Sequence, residues 1–547
     1  MEILRKSLAL TACASLFLSG CGQSSPSGPL PATSQTVAIK HVVVIFDENI
    51  SFDHYFGTYP NATNASGEPQ FTAAAGTPAV NGLSGTLLTA NPNATNAANG
   101  EGAVNPFRLA PSQAATSDQD HDYTPEQMAF DNGVMDLFPA SVGNPDTSAS
   151  GPLATTGATM GYFDGNTVTA LWNYAQNFSM SDNSYGTNFG PSTVGAINVV
   201  SGQTNGVAKT VNGTSDEISD GYGGLTVIGD PDPVGDICSG PTSGQALMSG
   251  KSVGDLLNTA GVTWGAFMGG FDLTVTNSNG TTGCARTTTS AVTGVTESDY
   301  IPHHAWFQYY GTTQNVNHVR PTSPTVVGTA ADGGASHQYD IHDFFDALSA
   351  GNMPAVNFVK APGYQDGHAG YSDPLDEQAF IVSVVTAVEQ SKFWDSTAII
   401  IAYDDSDGWY DHAYNAPVNG SATTSDVLNG PGVCGNGLTA LPGTSGSAQH
   451  AQGRCGYGPR LPLLVLSPWA KPNYVDHTLT DQSSILRFIE DTFLSSARIT
   501  GSFDAQAGVL TNMFNFSQPS PQNKNAPILD PTTGEPSGGP DVGHLTR

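Results

Sequence analysis

Two apolar, β-branched runs that each stop on acids constrain this chain more than any other feature of its 547 residues. The first, His41-Val-Val-Val-Ile-Phe, ends in Asp47, Glu48 and Asn49; the second, Thr397-Ala-Ile-Ile-Ile-Ala-Tyr, ends in Asp404 and Asp405. An unbroken run of Val and Ile is the pattern of a strand covered on both faces, as in a parallel sheet flanked by helices. The polar groups then emerge at the carboxyl edge, where open α/β sheets bind ligands. Hard oxygen donors brought to one edge by distant segments suggest a metal site. Neighbouring strand residues point to opposite faces, so Asp404 and Asp405 can serve one ion only if the strand has already ended. Ser406-Asp-Gly408 supplies a turn for that.

Strand-like runs at 41–47, 355–360, 398–404 and 462–467 alternate with helical patterns. Pro374 to Gln390 carries proline and acids in its first turn and an apolar face at helical spacing. Thr480 to Phe493 opens on a Thr or Asp cap. The alternation predicts an α/β fold, a three-layer α/β/α sandwich assembled from residues 38–517. Ala, Asn, Thr and Gly dominate 60–115, and 205–300 is similarly loop-like, so both read as surface insertions, the second with short hairpins. Residues 518–547 read as a Pro-rich tail.

The first twenty residues read as an export signal. Arg5 and Lys6 precede an apolar stretch, Leu8 to Leu18, that is too short to span a bilayer. It closes on Leu18-Ser-Gly-Cys21, which resembles a bacterial lipoprotein lipobox; cleavage before Cys21 and acylation of its thiol are implied. An ordinary signal peptide cut elsewhere is the alternative. Residues 21–37, rich in Ser, Pro and Gly, form a tether. The expected location is the bacterial cell envelope, at the periplasmic face or outer membrane, with secretion as the alternative.

Cysteine usage agrees with export. Beyond Cys13 and Cys21, four remain, an even number for an oxidising compartment. Of the three possible pairings, Cys238–Cys284 and Cys434–Cys455 are the most local. No CxxC spacing occurs, which argues against a thiolate zinc site. With 17 basic and 48 acidic residues the net charge is −31, which argues against nucleic acid as a partner.

A third element, Phe189-Gly-Pro-Ser192-Thr-Val-Gly-Ala-Ile-Asn198, reads as a tight turn into a helix. Ser192 in the first turn is a simple N-cap or a nucleophile; backbone N–H groups and the helix dipole there favour an anion such as phosphate. Its company favours the nucleophile. Glu48-Asn-Ile-Ser-Phe-Asp-His-Tyr-Phe-Gly57, Gly190-Pro-Ser192, Ala361-Pro-Gly-Tyr-Gln-Asp-Gly-His368, Tyr403-Asp-Asp-Ser-Asp-Gly-Trp-Tyr-Asp-His412 and Gly458-Pro-Arg-Leu-Pro462 occur in this order. Together they resemble the bacterial phosphoesterase family of acid phosphatases and non-haemolytic-type phospholipases C, within the alkaline-phosphatase superfamily. The resemblance runs from about 38 to about 505. Ile50 departs from it, standing where the family commonly has Arg.

The resemblance implies an alkaline-phosphatase-like fold and one divalent metal held by Glu48, Asn49, Asp404, Asp405 and Ser192. Ser192 would also be the nucleophile, giving a phosphoserine intermediate. It places His121, His304 and His368 beside the phosphate as oxygen ligands or general acid, with His303 competing with His304. Imidazolium there would stabilise transition-state charge. An all-oxygen set suits Ca²⁺, Mg²⁺ or Mn²⁺ better than Zn²⁺. Asp407, Asp411 and His412 read as turn or supporting residues, His54 as a loop hydrogen-bonder, and Arg460 as a carboxylate partner. Tyr364 and Trp409 are candidates to line a leaving-group pocket.

Three functions are consistent with these residues. The first is a metal-dependent acid phosphatase on phosphomonoesters, the second a phospholipase C cleaving phosphatidylcholine, the third a catalytically idle surface lipoprotein. The substrate in the first two is a phosphate ester, small or lipid, and the membrane is met through Cys21. Serine in place of the threonine that the larger phospholipases resemble each other in using favours the phosphatase, as does a chain ending soon after the catalytic core. The intact ligand set argues against the idle scaffold.

Overall fold

The computed structural model describes residues 38–537 apart from 214, 447, 448, 522 and 524–526. The signal, Cys21 and tether expected at 1–37, and the end of the tail, lie outside the described residues. Among the described residues no helix is long and apolar enough to cross a membrane.

Eight strands form the central sheet: β1 (His41–Asp47), β2 (Ser179–Ser181), β3 (Trp264–Met268), β4 (Gln338–Asp340), β5 (Val356–Lys360), β6 (Thr397–Tyr403), β7 (Leu463–Leu466) and β8 (Tyr474–Asp476). Their order across the sheet is β4-β3-β5-β1-β6-β7-β2-β8. Every neighbouring pair is parallel except the two that involve β7. The four expected strands are β1, β5, β6 and β7, and they occupy four adjacent places. Val42 to Phe46 and all of β6 are buried, as a central parallel strand requires.

Helices cover both faces. On one, α4 (Ser192–Ser201), α5 (Val253–Ala260) and α8 (Gln482–Phe493) pack together; on the other, α3 (Thr169–Asn177), α6 (Ile341–Ser349) and α7 (Pro374–Glu389) do. Two short helices, α1 (Phe52–Phe56) and α2 (Tyr123–Phe130), lie near the sheet edge. The pleat shows the two layers directly. Phe46 meets Trp306 on the α4 side, whereas Tyr403, beside the next residue of β1, reaches Glu377 on α7. Asp373 caps α7 by accepting from Leu375 and Asp376, and Asp481 caps α8.

The stretch 205–300 is only partly an insertion, contrary to expectation. Residues Val253–Ala260 and Trp264–Met268 supply a core helix and a central strand between β4 and β5. Trp-Gly-Ala-Phe-Met contains no β-branched residue, so its strand character comes from burial between neighbours rather than from propensity. The remainder matches the reading, with antiparallel hairpins at 217–227 and 287–298. Both local disulfides, Cys238–Cys284 and Cys434–Cys455, are present.

Glu389, in the last turn of α7, tests the electrostatics of this core away from the sheet edge. Neither of its carboxyl oxygens has a hydrogen-bond donor among the described residues, and burial pushes its pKa up to about 8. A raised carboxyl pKa means that the fold prefers the neutral form. The penalty is absent below the ordinary carboxyl range, grows as pH rises, and is complete above about pH 8. Glu389→Gln should therefore leave stability unchanged at pH 4 and raise it by roughly 1–3 kcal/mol at pH 9, read by denaturant unfolding at both pH values. A gain equal at both would contradict the assignment.

Candidate active site

Strand register builds the site. Along β1 and β6, His41 to Asp47 pair with Thr397 to Tyr403 without a slip. The next residues of each strand therefore leave the sheet side by side. Asp404 N–H donates to the Asp47 carbonyl at 3.2 Å, and Asn49 N–H to Asp404 Oδ1 at 3.0 Å. The strand ends at Tyr403, so Asp404 and Asp405 are free of the pleat, as one shared ion would need. Asn49 turns the chain with a φ of 59°, a left-handed conformation that Asn tolerates.

Ser192 opens α4 and comes to the same point. Its hydroxyl donates to Glu48 Oε2 at 2.8 Å and lies 3.4 Å from Asp405 Oδ2 and 3.5 Å from Asn49 Oδ1. This approach depends on Gly195: a Cβ there would stand 2.2 Å from the Asp404 carbonyl oxygen. The expected anion site at the helix N-terminus is partly filled by the protein itself, because Thr193 N–H donates to Asp230 Oδ1 at 2.8 Å.

All five residues are at most 3% exposed. Lys360, at the end of β5, brings an ammonium into the centre: it meets Glu48 Oε1 and lies 3.8 Å from Asp404 Oδ2. Three carboxylates against one ammonium leave a nominal charge of −2 in a space closed to water. Asp404 Oδ2 has no hydrogen-bond donor among the described residues, and the Asn49 amide oxygen faces Glu48 Oε2 at 2.9 Å and Asp404 Oδ1 at 3.2 Å. With the amide reversed, its nitrogen would donate to both and its oxygen would accept from His368 Nε2 at 3.0 Å. Oxygen donors, net charge and burial all fit a hard divalent ion.

Three imidazoles surround this centre. His304 Nδ1 lies 3.3 Å from Glu48 Oε1, whereas His303 is part-exposed and turned toward a cavity, so His304 is the inner of the pair. His121 Nε2 faces the Asn49 amide at 3.4 Å, and its Nδ1 donates to the Gln119 carbonyl at 2.8 Å, with Asp407 and Asp118 oxygens at 3.4 and 3.6 Å. Asp118, His121, His368 and Asp407 lie close enough to suggest a second ion. The proton that Nδ1 gives to Gln119 makes this an imidazole held by carboxylates instead. Burial works against a charged His121, yet Asp405, Asp407 and Asp118 raise its pKa well above the ordinary value. His304 and His368 go the other way. Burial, then neighbouring imidazoles, lower His304, and burial takes His368 down to about 4. Burial thus works toward neutral His304 and His368, whereas nearby carboxylates work toward a charged His121.

Other expected residues fall outside the centre. Arg460 does pair with carboxylates: buried, it meets Asp411 Oδ2 at 3.1 Å and Asp53 Oδ1 at 3.0 Å, and His412 completes the cluster. Trp409 is buried, stacked on His54 at 4.0 Å, and lies outside the lining of the cavity beside His368. His54 also bonds the Gly161 carbonyl at 2.8 Å, outside its own loop. Ile50 is buried in the core.

Three acting residues escape a reading of the sequence. Lys360 is legible in principle, as the polar end of the strand Val356-Asn-Phe-Val-Lys360. Asp366 accepts from Tyr371 at 3.1 Å and reaches His304 at 3.9 Å, and no local pattern marks it. Glu126 sits on α2 and touches the loops on either side of the centre. A cavity of about 590 Å³ opens beside His368, walled by Asp118, Glu297, Tyr300, Ile301, His303 and Tyr371 among others.

The fold and its polar centre define a layered α/β protein with a serine set among carboxylates at the carboxyl edge of a mostly parallel sheet. The chain belongs to the Phosphoesterase family, whose sequence model matches residues 39–494. It is 24% identical over 507 residues to a non-hemolytic phospholipase C of Pseudomonas aeruginosa, covering 90% of this chain and 59% of that protein. It is also 24% identical to phospholipase C B of Mycobacterium tuberculosis, over 95% of this chain and 86% of the relative. The chain thus spans about six-tenths of the Pseudomonas relative's length. Among solved structures it is similar to a protein in the alkaline phosphatase superfamily from Vibrio parahaemolyticus, with 12% identity, 63% of each chain covered and a TM-score of 0.29.

The ligand assignment is checked by metal titration. Glu48→Gln and Asp404→Asn should each weaken Mn²⁺ binding roughly tenfold or more, followed by calorimetry on folded protein. Unchanged affinity in both would remove them as ligands.

Proposed function

We propose that this protein is a metal-dependent phosphoric ester hydrolase, an acid phosphatase acting on phosphomonoesters through a phosphoserine at Ser192. The observation that carries the reading is the Ser192 hydroxyl, 2.8 Å from Glu48 Oε2 and facing Asn49 and Asp405 at the carboxyl edge of the sheet, with a cavity opening beside His368. Glu48, Asn49, Asp404, Asp405 and Ser192 would hold one divalent cation, Ca²⁺, Mg²⁺ or Mn²⁺ by their chemistry. When bound it supplies Lewis acidity toward phosphoryl oxygens and favours the ionised serine.

Ser192 Oγ, its proton released to water, attacks phosphorus. The Ser192 O–P bond forms as the ester P–O bond breaks, and the leaving oxygen takes a proton from His121 Nε2. Water then attacks phosphorus and gives one proton back to His121 as the Ser192 O–P bond breaks, and the Ser192 oxygen regains its proton from water. His304 and His368, held neutral by burial, position phosphoryl oxygens or water rather than carry charge. Lys360 holds Glu48 against Asp404.

A second reading, phospholipase C, has specific support. Relatives over most of the chain bear that name. The cavity is larger than phosphate needs, and its Asp118, Glu297, Tyr300 and Tyr371 suit a zwitterionic headgroup better than a dianionic monoester at neutral pH. Side-by-side turnover of p-nitrophenyl phosphate and phosphatidylcholine from pH 4 to 8 separates the two. Preference for the monoester upholds the phosphatase, preference for the lipid replaces it, and silence on both removes the reading.

Ser192→Ala should abolish turnover and the acid-stable phosphoprotein while leaving phosphate binding and thermal stability intact. Retained turnover would sink the nucleophile. The reading extends to the envelope: with Cys21 acylated, Cys21→Ser should move the protein from the membrane fraction to the soluble one, and an unchanged distribution would dismiss the anchor.

A further inference from the structure

Ser192 is approached through the turn Gly190-Pro191. Gly190 has a φ of 117°, a backbone that other residues rarely adopt, and a Cβ there would meet the Ile228 carbonyl and Val194 at 3.1 Å. On the opposite side of the centre, the metal-binding candidates Asp404 and Asp405 run into Ser406, followed by two more left-handed residues, Asp407 and Gly408. The reacting oxygens stand between these two turns.

One buried carboxylate joins the two. Glu126, 2% exposed, accepts Gly190 N–H on Oε2 at 3.1 Å and the Ser406 hydroxyl on Oε1 at 2.7 Å. Ser406 Oγ in turn accepts Gly408 N–H at 3.2 Å, so the bridge reaches both ends of the second turn. Glu126 contacts neither Ser192 nor the other proposed ligands in this bonding pattern.

The element that carries Glu126 is fixed independently of the site. Tyr123, one turn earlier on α2, donates to Asp426 Oδ1 at 2.7 Å and accepts Cys455 N–H at 2.9 Å. Gln127, the next residue after Glu126, accepts from the N–H groups of Val427 and Leu428 at 2.9 and 3.1 Å. Cys455 belongs to the Cys434–Cys455 disulfide, and its carbonyl accepts Phe189 N–H at 2.9 Å. The helix, the disulfide loop and the segment entering the nucleophile are therefore one bonded unit, with Glu126 as its inward arm.

We propose that Glu126 is a positioning residue that sets the distance between the Ser192 turn and the Asp404–Asp405 turn. It rests on the assignment of Ser192 as nucleophile. The role needs two hydrogen-bonding ends at a fixed separation, not a negative charge. Glutamine provides them: its carbonyl accepts Gly190 N–H and its amide donates to Ser406 Oγ. Leucine has similar volume and provides neither, leaving a buried N–H and hydroxyl to find other partners. The bridge also survives protonation of Glu126, which burial favours by pushing its pKa up to about 8, because the Ser406 hydroxyl can rotate to accept.

The test compares Glu126→Leu, Glu126→Gln and Ser406→Ala in the full chain, with p-nitrophenyl phosphate or phosphatidylcholine, whichever the parent turns over. Misplacement of a nucleophile by about 1 Å costs on the order of 100-fold. Glu126→Leu should lower kcat roughly 100-fold with KM within about threefold, Glu126→Gln should keep kcat within about threefold, and Ser406→Ala should fall between. Amide exchange should show residues 188–192 and 404–408 losing protection together in Glu126→Leu and keeping it in Glu126→Gln. If Glu126→Leu does not fold, the Ser406→Ala and Glu126→Gln pair decides. The proposal is overturned if Gln is as impaired as Leu, if Leu loses protection without losing kcat, or if KM rises while kcat holds. A parent silent on both esters overturns the functional reading and this role with it, whereas activity with an unaffected Leu variant overturns the role alone.

Discussion

The backbone pairing of His41–Asp47 with Thr397–Tyr403 is the constraint on which the rest depends. It joins segments more than 350 residues apart, and it leaves the two strand-end loops no freedom: a shift of one residue would turn Asp47 and Tyr403 to the opposite face and separate Asn49 from Asp404. The register is specified by burial. Val42 to Phe46 and the whole of β6 are covered, so a slip would put Asp47 or Tyr403 among apolar neighbours on the wrong side. Tyr403 then adds a lock. Its hydroxyl and that of Tyr55 both donate to Glu377 on α7, at 2.5 and 2.7 Å.

Gathering acids at this edge is electrostatically expensive, and the structure answers with single cations placed between pairs. Arg460 is the clearest, fully buried between Asp53 and Asp411, with further donors to the carbonyls of Asn81 and Asp182. Arginine suits the place because its planar group satisfies several acceptors at fixed angles. Asp53 lies just beyond the first strand-end loop and Asp411 just beyond the second, so Arg460 braces the two loops from behind. Lys360 plays the corresponding part inside the centre. Three carboxylates remain against that single ammonium, which is why the donor set reads as a divalent-cation site rather than as a finished ion pair.

Much of this is legible in the chain itself. The strand-like runs at 41–47, 355–360, 398–404 and 462–467 are the four adjacent central strands, because burial on both faces selects Val, Ile, Leu and Phe with few polar interruptions. Glu48, Asn49, Ser192, Asp404 and Asp405 converge because each sits at the end of a strand or the start of a helix, where sequence marks the transition. The features that stay hidden share a cause too. Trp264 to Met268 lacks the composition of a strand and is lost in a loop-rich stretch. Glu126, Asp366 and Asp230 act through contacts with residues distant in sequence, and no spacing announces such contacts. Pocket lining and packing both stay open for Trp409 in the sequence, because a loop-tip position says nothing of the His54 ring it stacks on.

The carboxylate centre and the wall of the cavity beside it come largely from different parts of the chain. The carboxylate centre around Ser192 is built from strand ends, one helix start and the loops directly after them, while His121 and His304 reach it from other segments, His304 from the exit of the hairpin that walls the cavity. The cavity wall comes largely from elsewhere: Val295, Glu297, Ser298, Tyr300, Ile301 and His303 belong to a hairpin and its exit inside the inserted region. That hairpin is fastened at its base by Cys238–Cys284 and by Arg286, which meets Asp299 at 3.0 Å and Asp340 at 3.3 Å. At its tip Ser290 donates to Asp376 on α7 at 2.7 Å. A wall held at both ends can change its exposed side chains without disturbing the register of β1 and β6.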